Sequence, residues 1–157
     1  MKSATNRPPK VRAIRSALIC VGLFLTLVSS AAEWPIESEG AHLRATIEPR
    51  DGKVEIGEFQ AWVLTLRDSD GNPVEQAQIV IGGGMPGHGH GMPTQPVVTE
   101  YQGSGQYLIE GIKLNMAGRW VIAVAVSTPF IRDRLLFEFD VDLWSTDDRL
   151  LLASLYF

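Results

Sequence analysis

The side chains best suited to chemistry in this sequence lie close together in one segment rich in glycine and proline. Residues 82–96 read GGGMPGHGHGMPTQP, with six glycines and three prolines, and this composition predicts a loop. Four soft or borderline metal ligands fall within eight of these residues: Met85, His88, His90 and Met92. No charged residue occurs between Glu75 and Glu100. An ion bound in this segment therefore meets thioethers and imidazoles rather than carboxylates.

These ligand types decide which metals the segment favours. Calcium and magnesium take several oxygen ligands, usually carboxylates, which the segment lacks. Structural zinc takes four ligands from cysteine, histidine or carboxylate, so two imidazoles make zinc the second choice. Cu(I) accepts thioethers and imidazoles, and His-x-His in an extended chain places both rings on the same side. We therefore expect a Cu(I) site whose ligands are Met85, His88, His90 and Met92, joined by Met116 from a later turn.

Two alternatives to a copper site stay open at this point. In the first, the methionines fill gaps in the packing and the histidines are solvated loop residues. In the second, the protein is an interaction or scaffold domain of the cell envelope that binds no metal and uses the loop and the apolar C-terminal residues for contact. An enzyme is not expected, because no Ser-His-Asp order, cysteine nucleophile or carboxylate pair is evident. The third histidine, His42, is expected on the surface of the first strand.

The first 32 residues have the features of a secretory signal. Five basic residues and no acidic ones precede an apolar run at residues 17–28, and small residues follow at 29–32. We expect cleavage after Ala31 or Ala32, which leaves residues 33–157 as one domain in the periplasm or outside the cell. An uncleaved membrane anchor is the alternative, although about 12–16 apolar residues are fewer than the ~20 that span a bilayer. The single cysteine, Cys20, lies in this leader, so the mature chain has no thiol.

Charge and composition narrow the function further. The chain of 157 residues is 45% hydrophobic, as in an ordinary globular protein, and has 14 basic and 18 acidic residues. Removing the leader leaves nine basic residues against eighteen acidic ones, a net charge of −9. Such an acidic domain argues against nucleic acid and anionic lipid as partners. The partners we expect are a copper ion and a protein of the cell envelope, and the sequence leaves the oligomeric state open.

The mature sequence alternates between apolar and polar residues in short stretches separated by turns. This period of two predicts about seven strands, at residues 41–47, 59–67, 77–81, 97–101, 106–112, 120–126 and 134–143. Their number and spacing predict an all-β fold, an immunoglobulin-like β-sandwich, here without the inter-sheet disulfide of antibody domains. The sequence QGSG at residues 102–105 predicts a hairpin turn. Beyond residue 145 we expect a short C-terminal helix or an added strand, whose apolar residues cover an open end of the sandwich or dock to a partner.

Several stretches of the sequence resemble the YtkA-like domain family, with which FixH-like proteins are grouped. They are GMPGHGHGMP at residues 84–93, GQY at 105–107, NMAGRW at 115–120 and the turn DSDGNPV at 68–74, and the similarity covers about residues 40–128. The resemblance implies a small exported immunoglobulin-like domain with a role in copper handling. It also implies ligands at Met85, His88, His90, Met92 and Met116. FixH-like proteins carry a membrane-spanning N-terminus, from which the shorter apolar run of this chain departs.

Overall fold

The structure, a computed structural model, describes residues 32–143. Within them the chain forms nine strands and one short 3-10 helix, Pro86–His88. The strands are β1 (Ile36–Glu39), β2 (Leu43–Pro49), β3 (Gln60–Asp68), β4 (Gln78–Met85), β5 (His90–Gly91), β6 (Val97–Gly103), β7 (Gln106–Ile112), β8 (Gly118–Ser127) and β9 (Arg132–Val141). They pair antiparallel into a five-stranded sheet of order β1-β2-β3-β7-β6 and a four-stranded sheet of order β5-β4-β8-β9.

This strand order is that of an immunoglobulin-like sandwich. β2, β3, β7 and β6 correspond to strands A, B, E and D, and β4, β8 and β9 correspond to C, F and G of the opposing sheet. The predicted all-β sandwich is therefore confirmed. The prediction of about seven strands missed β1, which has four residues, and β5, which has two. Strands this short contain too few residues to show an alternating pattern.

The core lies between the two sheets and is built from the residues whose alternation predicted the strands. Trp62, Leu64 and Leu66 of β3 are fully buried, while the residues between them are partly exposed. The predicted inward face of β9, from Leu135 to Val141, is buried as well. Burying one such side chain contributes about 1.5–3 kcal/mol. A domain of this length thus has a core that needs no disulfide.

Trp34 closes one end of this core just before β1 begins. Its ring lies edge-on to Trp62, with centroids 4.9 Å apart, and to Phe139, at 5.4 Å. Trp62 belongs to the five-stranded sheet and Phe139 to the four-stranded sheet. Trp34 therefore joins the two sheets at the end of the sandwich where β3 begins and β9 ends.

The predicted hairpin between β6 and β7 is confirmed. Its two turn residues, Ser104 and Gly105, have φ angles of 51° and 75°, as a two-residue hairpin of the favoured type requires. Gly105 also accepts a hydrogen bond from the Leu66 N–H, at 2.9 Å. A Cβ at position 105 would collide with the Leu66 carbonyl oxygen. Glycine is needed there both for its positive φ and for this close approach.

Tyr107 anchors the connection between β3 and β4. Its hydroxyl donates a hydrogen bond to the Val74 carbonyl oxygen at 2.9 Å and accepts one from the Ala77 N–H at 3.2 Å. Burial raises the pKa of the Tyr107 hydroxyl, which therefore stays protonated and able to donate. The sequence contained no signal for this bridge, because the partners are backbone groups 30 or more residues away.

Asp133, at the start of β9, fastens the turn between β1 and β2. Its carboxylate accepts hydrogen bonds from the N–H groups of Ala41 (3.1 Å), His42 (2.8 Å) and Leu43 (2.9 Å), and from Arg134 in its own strand (2.8 Å). His42 is exposed, as predicted, but it lies in the bend before β2 and not within the strand. The strand starts later because the N–H groups of Ala41 and His42 bond to a side chain instead of a neighbouring strand.

Two sequence predictions lie outside the described residues. The first is the leader, residues 1–32, of which only Ala32 is described. The second is the C-terminal helix or added strand after residue 145. Residues 32–143 contain no helix with the length and hydropathy of a membrane span.

Candidate functional site

The glycine-rich segment begins as a strand and not as a loop. β4 continues to Met85 and pairs with β8 from Gln78 through Gly84, so the predicted loop start at residue 82 is wrong. The physical reason is the close approach of neighbouring backbones. A Cβ on Gly83 would lie 2.5 Å from the Val121 carbonyl oxygen of β8, and one on Gly84 would collide with the His90 carbonyl oxygen of β5. These glycines therefore permit close strand packing, a requirement that is easily mistaken for turn flexibility.

A tight turn reverses the chain directly after Met85. Pro86–His88 forms one turn of 3-10 helix, which Gly89 ends in the left-handed conformation with φ 68°. The Gly89 N–H lies 3.1 Å from the Met85 carbonyl oxygen and 3.3 Å from that of Pro86. The chain then returns as β5 along the free edge of β4. The two predicted histidines are thereby placed on either side of Gly89.

The register between β4 and β5 brings three of the predicted ligands onto one face of the sheet. Met85 lies directly opposite His90, and Gly84 lies opposite Gly91. The Met92 N–H continues the pairing by donating to the Gly83 carbonyl oxygen at 2.8 Å. Residues directly opposite each other in an antiparallel pair share a face, and so do residues two apart in one strand. Met85, His90 and Met92 therefore lie on the inward face at this edge.

The histidine rings lie at the surface of the same edge. The centroids of the His88 and His90 rings are 5.8 Å apart, and both residues are exposed. Nδ1 of His90 is 3.1 Å from the Gly91 carbonyl oxygen. When Nδ1 carries the proton and donates to that oxygen, Nε2 keeps its lone pair for a metal ion.

The methionines differ from the histidines in burial. Met85 is 1% exposed and belongs to the hydrophobic core, whereas Met92 is partly buried and packs against that core. This position of Met85 agrees with the alternative in which methionines fill gaps in the packing. At this exposure the Met85 side chain is closed to solvent.

Met116 lies in the turn that leads into β8. Its carbonyl oxygen accepts a hydrogen bond from the Trp120 indole N–H at 3.0 Å, and its side chain is 36% exposed. A Cβ placed on Gly118, two residues further on, would lie 2.8 Å from Cε of Met85. The first residue of β8 therefore packs against Met85, and the structure brings all five predicted ligands to the same end of the sandwich.

The donor chemistry of this edge fits a soft ion. Within residues 32–143 no three side chains of the types His, Cys, Asp and Glu are close enough to share a metal ion. A site at this edge therefore has to combine the two imidazoles with methionine sulfurs. Such a mixed set suits Cu(I) better than zinc or the hard cations.

Sequence reasoning missed a feature beside this edge. A shallow groove of about 420 Å³ lies on the outward face of β4, β8 and β9, and among the residues lining it are Gly82, Val121, Ala123 and Leu136. A signal was present in the sequence, because β4 and β8 read as nearly continuous apolar runs. That pattern is typical of strands that are covered on both faces.

Comparison with known protein families finds a match. The sequence profile of a family described as YtkA-like matches residues 38–125, more than half of the chain. The matched part runs from β1 into β8 and includes the β4–β5 edge and the turn that contains Met116. Searches of curated proteins and of solved structures gave no significant match.

Proposed function

Because the chain belongs to the YtkA-like family, we propose that it is a small exported domain that binds Cu(I) at the β4–β5 edge. Its role is copper handling in the periplasm or the assembly of a metalloenzyme, and a protein of the cell envelope receives the ion. One observation carries this proposal. The register places Met85 opposite His90 and keeps Met92 on the same face, with the His88 ring adjacent.

The proposed site divides its ligands between surface and core. His88 and His90 are the exposed ligands that first meet the ion, and Met92 supplies a thioether from the partly buried side. Met85 and Met116 are the further thioethers from beneath the edge and from the neighbouring turn. Imidazole and thioether ligands without a carboxylate disfavour hydrated divalent cations. Binding and release of an ion require no turnover, so we expect no enzymatic activity.

A competition titration tests copper binding. The purified protein is titrated with Cu(I) under anaerobic conditions against a chromophoric chelator of known affinity. The double variant His88→Ala, His90→Ala is expected to bind Cu(I) at least about tenfold more weakly, a loss of ~1.4 kcal/mol or more, because it lacks two of the proposed ligands. The matched control is His42→Ala, which removes the third histidine from the opposite end of the sandwich. Unchanged affinity in the double variant would rule out the proposed ligands.

X-ray absorption of the copper-loaded protein tests the thioethers separately. Sulfur ligands lie roughly 0.2–0.3 Å farther from a metal than nitrogen ligands, so the two kinds of scatterer can be distinguished. We expect both nitrogen and sulfur around copper, and a smaller sulfur contribution in Met92→Leu, which keeps the apolar volume but removes one of the three proposed thioethers. A shell of nitrogen and oxygen alone would contradict the role given to the methionines.

Export is tested by the mass of the protein recovered from the periplasm. We expect a chain that starts at Ala32 or Glu33. Recovery of the intact chain in the membrane fraction would support the anchored alternative instead.

A further inference from the structure

The outward face of the four-stranded sheet is apolar in the middle of β4 and β8, although a face in contact with water is normally polar. Every outward-facing residue in the middle of β4 and β8 is nonpolar: Val80, Gly82, Gly84, Val121, Ala123 and Ala125. Val80 is 71% exposed, and Leu136 of β9, which lies opposite Ala123, is 47% exposed. Antiparallel sheets with one solvated face normally carry polar residues on that face.

The five-stranded sheet of the same domain does carry polar residues on its outward face. On β2 and β3 the outward residues include Arg44, Thr46, Thr65 and Arg67. The two sheets therefore differ in their outer faces although they share one core. The four-stranded sheet has the composition of a sheet that a further element covers.

The covering element must fit a shallow apolar groove. Gly82, Ala123 and Leu136 form one row across β4, β8 and β9. Because Gly82 has no side chain, the groove is deeper at β4. The groove has a volume of about 420 Å³, room for a few apolar side chains. Arg134 lines it at one end, while the ion pair between Arg119 and Glu138 lies on the same face toward the other end.

We propose that the apolar C-terminal residues of this same chain, 150–157, occupy this groove. The described structure stops two residues after β9, the strand that borders the groove, and 14 residues follow. Their sequence is polar at 145–149 and then reads LLLASLYF. The centre of the groove lies about 17 Å back along β9, five residues from Val141 at ~3.4 Å each. The nine residues from Val141 to Leu150 reach up to about 30 Å, so the polar stretch is long enough to turn back.

This assignment revises the expectation that the tail covers an open end of the sandwich. Leu136, at the centre of the groove, lies midway along β9, away from either end of the strand. The groove adjoins the proposed copper site, because Met85 and His90 are also among the residues that line it. Its centre is the row of Gly82, Ala123 and Leu136, which contains no metal ligand, so the proposal does not require bound copper.

Thiol labelling tests the proposal. In a Cys20→Ser background the chain contains no other thiol, so one introduced cysteine reports on one position. Ala123→Cys places that thiol on the groove floor, and Ser69→Cys places it in an exposed turn as a reference. The chain is expressed with its leader, purified as the cell processes it, and treated with a maleimide reagent. Thermal unfolding of each variant verifies that it is folded.

We expect Ala123→Cys to react at least about tenfold more slowly than Ser69→Cys, because the tail must first leave the groove. Adding Leu151→Asp and Leu155→Asp should remove this protection, since charges do not enter an apolar groove. Ser145→Asp, the same charge in the polar stretch, should leave it unchanged. Cysteines placed one at a time at positions 150–157 should include at least one that forms an intramolecular disulfide with Ala123→Cys.

Three results would overturn the proposal. Ala123→Cys that reacts as fast as Ser69→Cys shows an open groove. Protection that disappears on dilution assigns the groove to a second copy of the chain. Protection that survives both tail aspartates assigns it to a different occupant.

Discussion

Replacing Asp133 by asparagine removes a carboxylate on which four backbone N–H groups converge. The amide side chain keeps one acceptor oxygen and turns an NH₂ group toward the remaining donors. Two charge-assisted hydrogen bonds are then lost, each worth about 1.5–3 kcal/mol. Each carboxylate oxygen accepts from one exposed N–H group, that of Ala41 or that of His42, which can bind water instead. We therefore take the low end for both lost bonds and expect a loss of about 3 kcal/mol at neutral pH.

The loss is expected to depend on pH. Partial burial by itself raises the pKa of the Asp133 carboxyl, but the hydrogen bonds from His42, Ala41, Arg134 and Leu43 outweigh it, and the pKa is lowered overall. A lowered folded-state pKa stabilises the protein above the unfolded pKa of about 3.9, and this stabilisation is lost as the pH falls through the folded value. The difference between the parent protein and Asp133→Asn should therefore be largest at pH 7 and shrink below about pH 4.

Urea denaturation followed by tryptophan fluorescence measures this difference, because Trp62 and Trp120 are fully buried. The matched control is Asp140→Asn, which makes the same charge change on an exposed residue of the same strand and should alter stability by less than about 0.5 kcal/mol. Equal effects of the two substitutions would refute the reasoning. So would a difference between the parent protein and Asp133→Asn that stays constant from pH 7 to pH 3.

Further substitutions have expected outcomes in the same denaturation assay. Met85→Ala leaves a cavity in the core and should cost about 2–5 kcal/mol, whereas Met85→Leu, which keeps the volume, should cost less than about 1.5 kcal/mol; equal costs would contradict its buried position. Tyr107→Phe removes a hydroxyl with two backbone partners and should cost about 1–3 kcal/mol, and a neutral result would show that those partners find water. Gly105→Ala places a Cβ at a positive φ and against the Leu66 carbonyl oxygen, and it should lower the free energy of unfolding by more than about 2 kcal/mol. Gly52→Ala has the positive φ but no atom within 4 Å of the new Cβ, so it should cost about 1 kcal/mol. A larger cost for Gly52→Ala than for Gly105→Ala would refute the collision at position 105.

The fold was predictable wherever burial alternates along a strand. Trp62, Leu64 and Leu66 show why: each second residue enters the core, and a period of two in the sequence records this directly. The short strands β1 and β5 carry no such record, and their pairing depends on residues elsewhere in the chain. Asp133 shows the same dependence on distant residues, since the sequence does not reveal which distant N–H groups donate hydrogen bonds to its carboxylate.

The candidate site was predictable in its residue types but not in its arrangement. Met, His and the absence of charge are properties of the sequence itself. Which way Met85 points depends on where β4 ends, and the glycines before it suggest a turn although they serve close packing. A strand that ended at residue 81 would have placed Met85 in a loop. Because β4 continues to Met85, every second residue counted from the buried Ile81 faces the core, and Met85 is one of them.

The position of Trp34 has a consequence for the proposed removal of a leader. Cleavage after Ala31 or Ala32 would fall only two or three residues before a ring that is wedged between the two sheets. A peptidase needs several extended residues on both sides of the bond that it cuts, and the folded domain offers almost no slack there. If the proposed leader is cut at this point, the cut has to precede the docking of this ring, and processing and the final closure of the sandwich then occur in a fixed order.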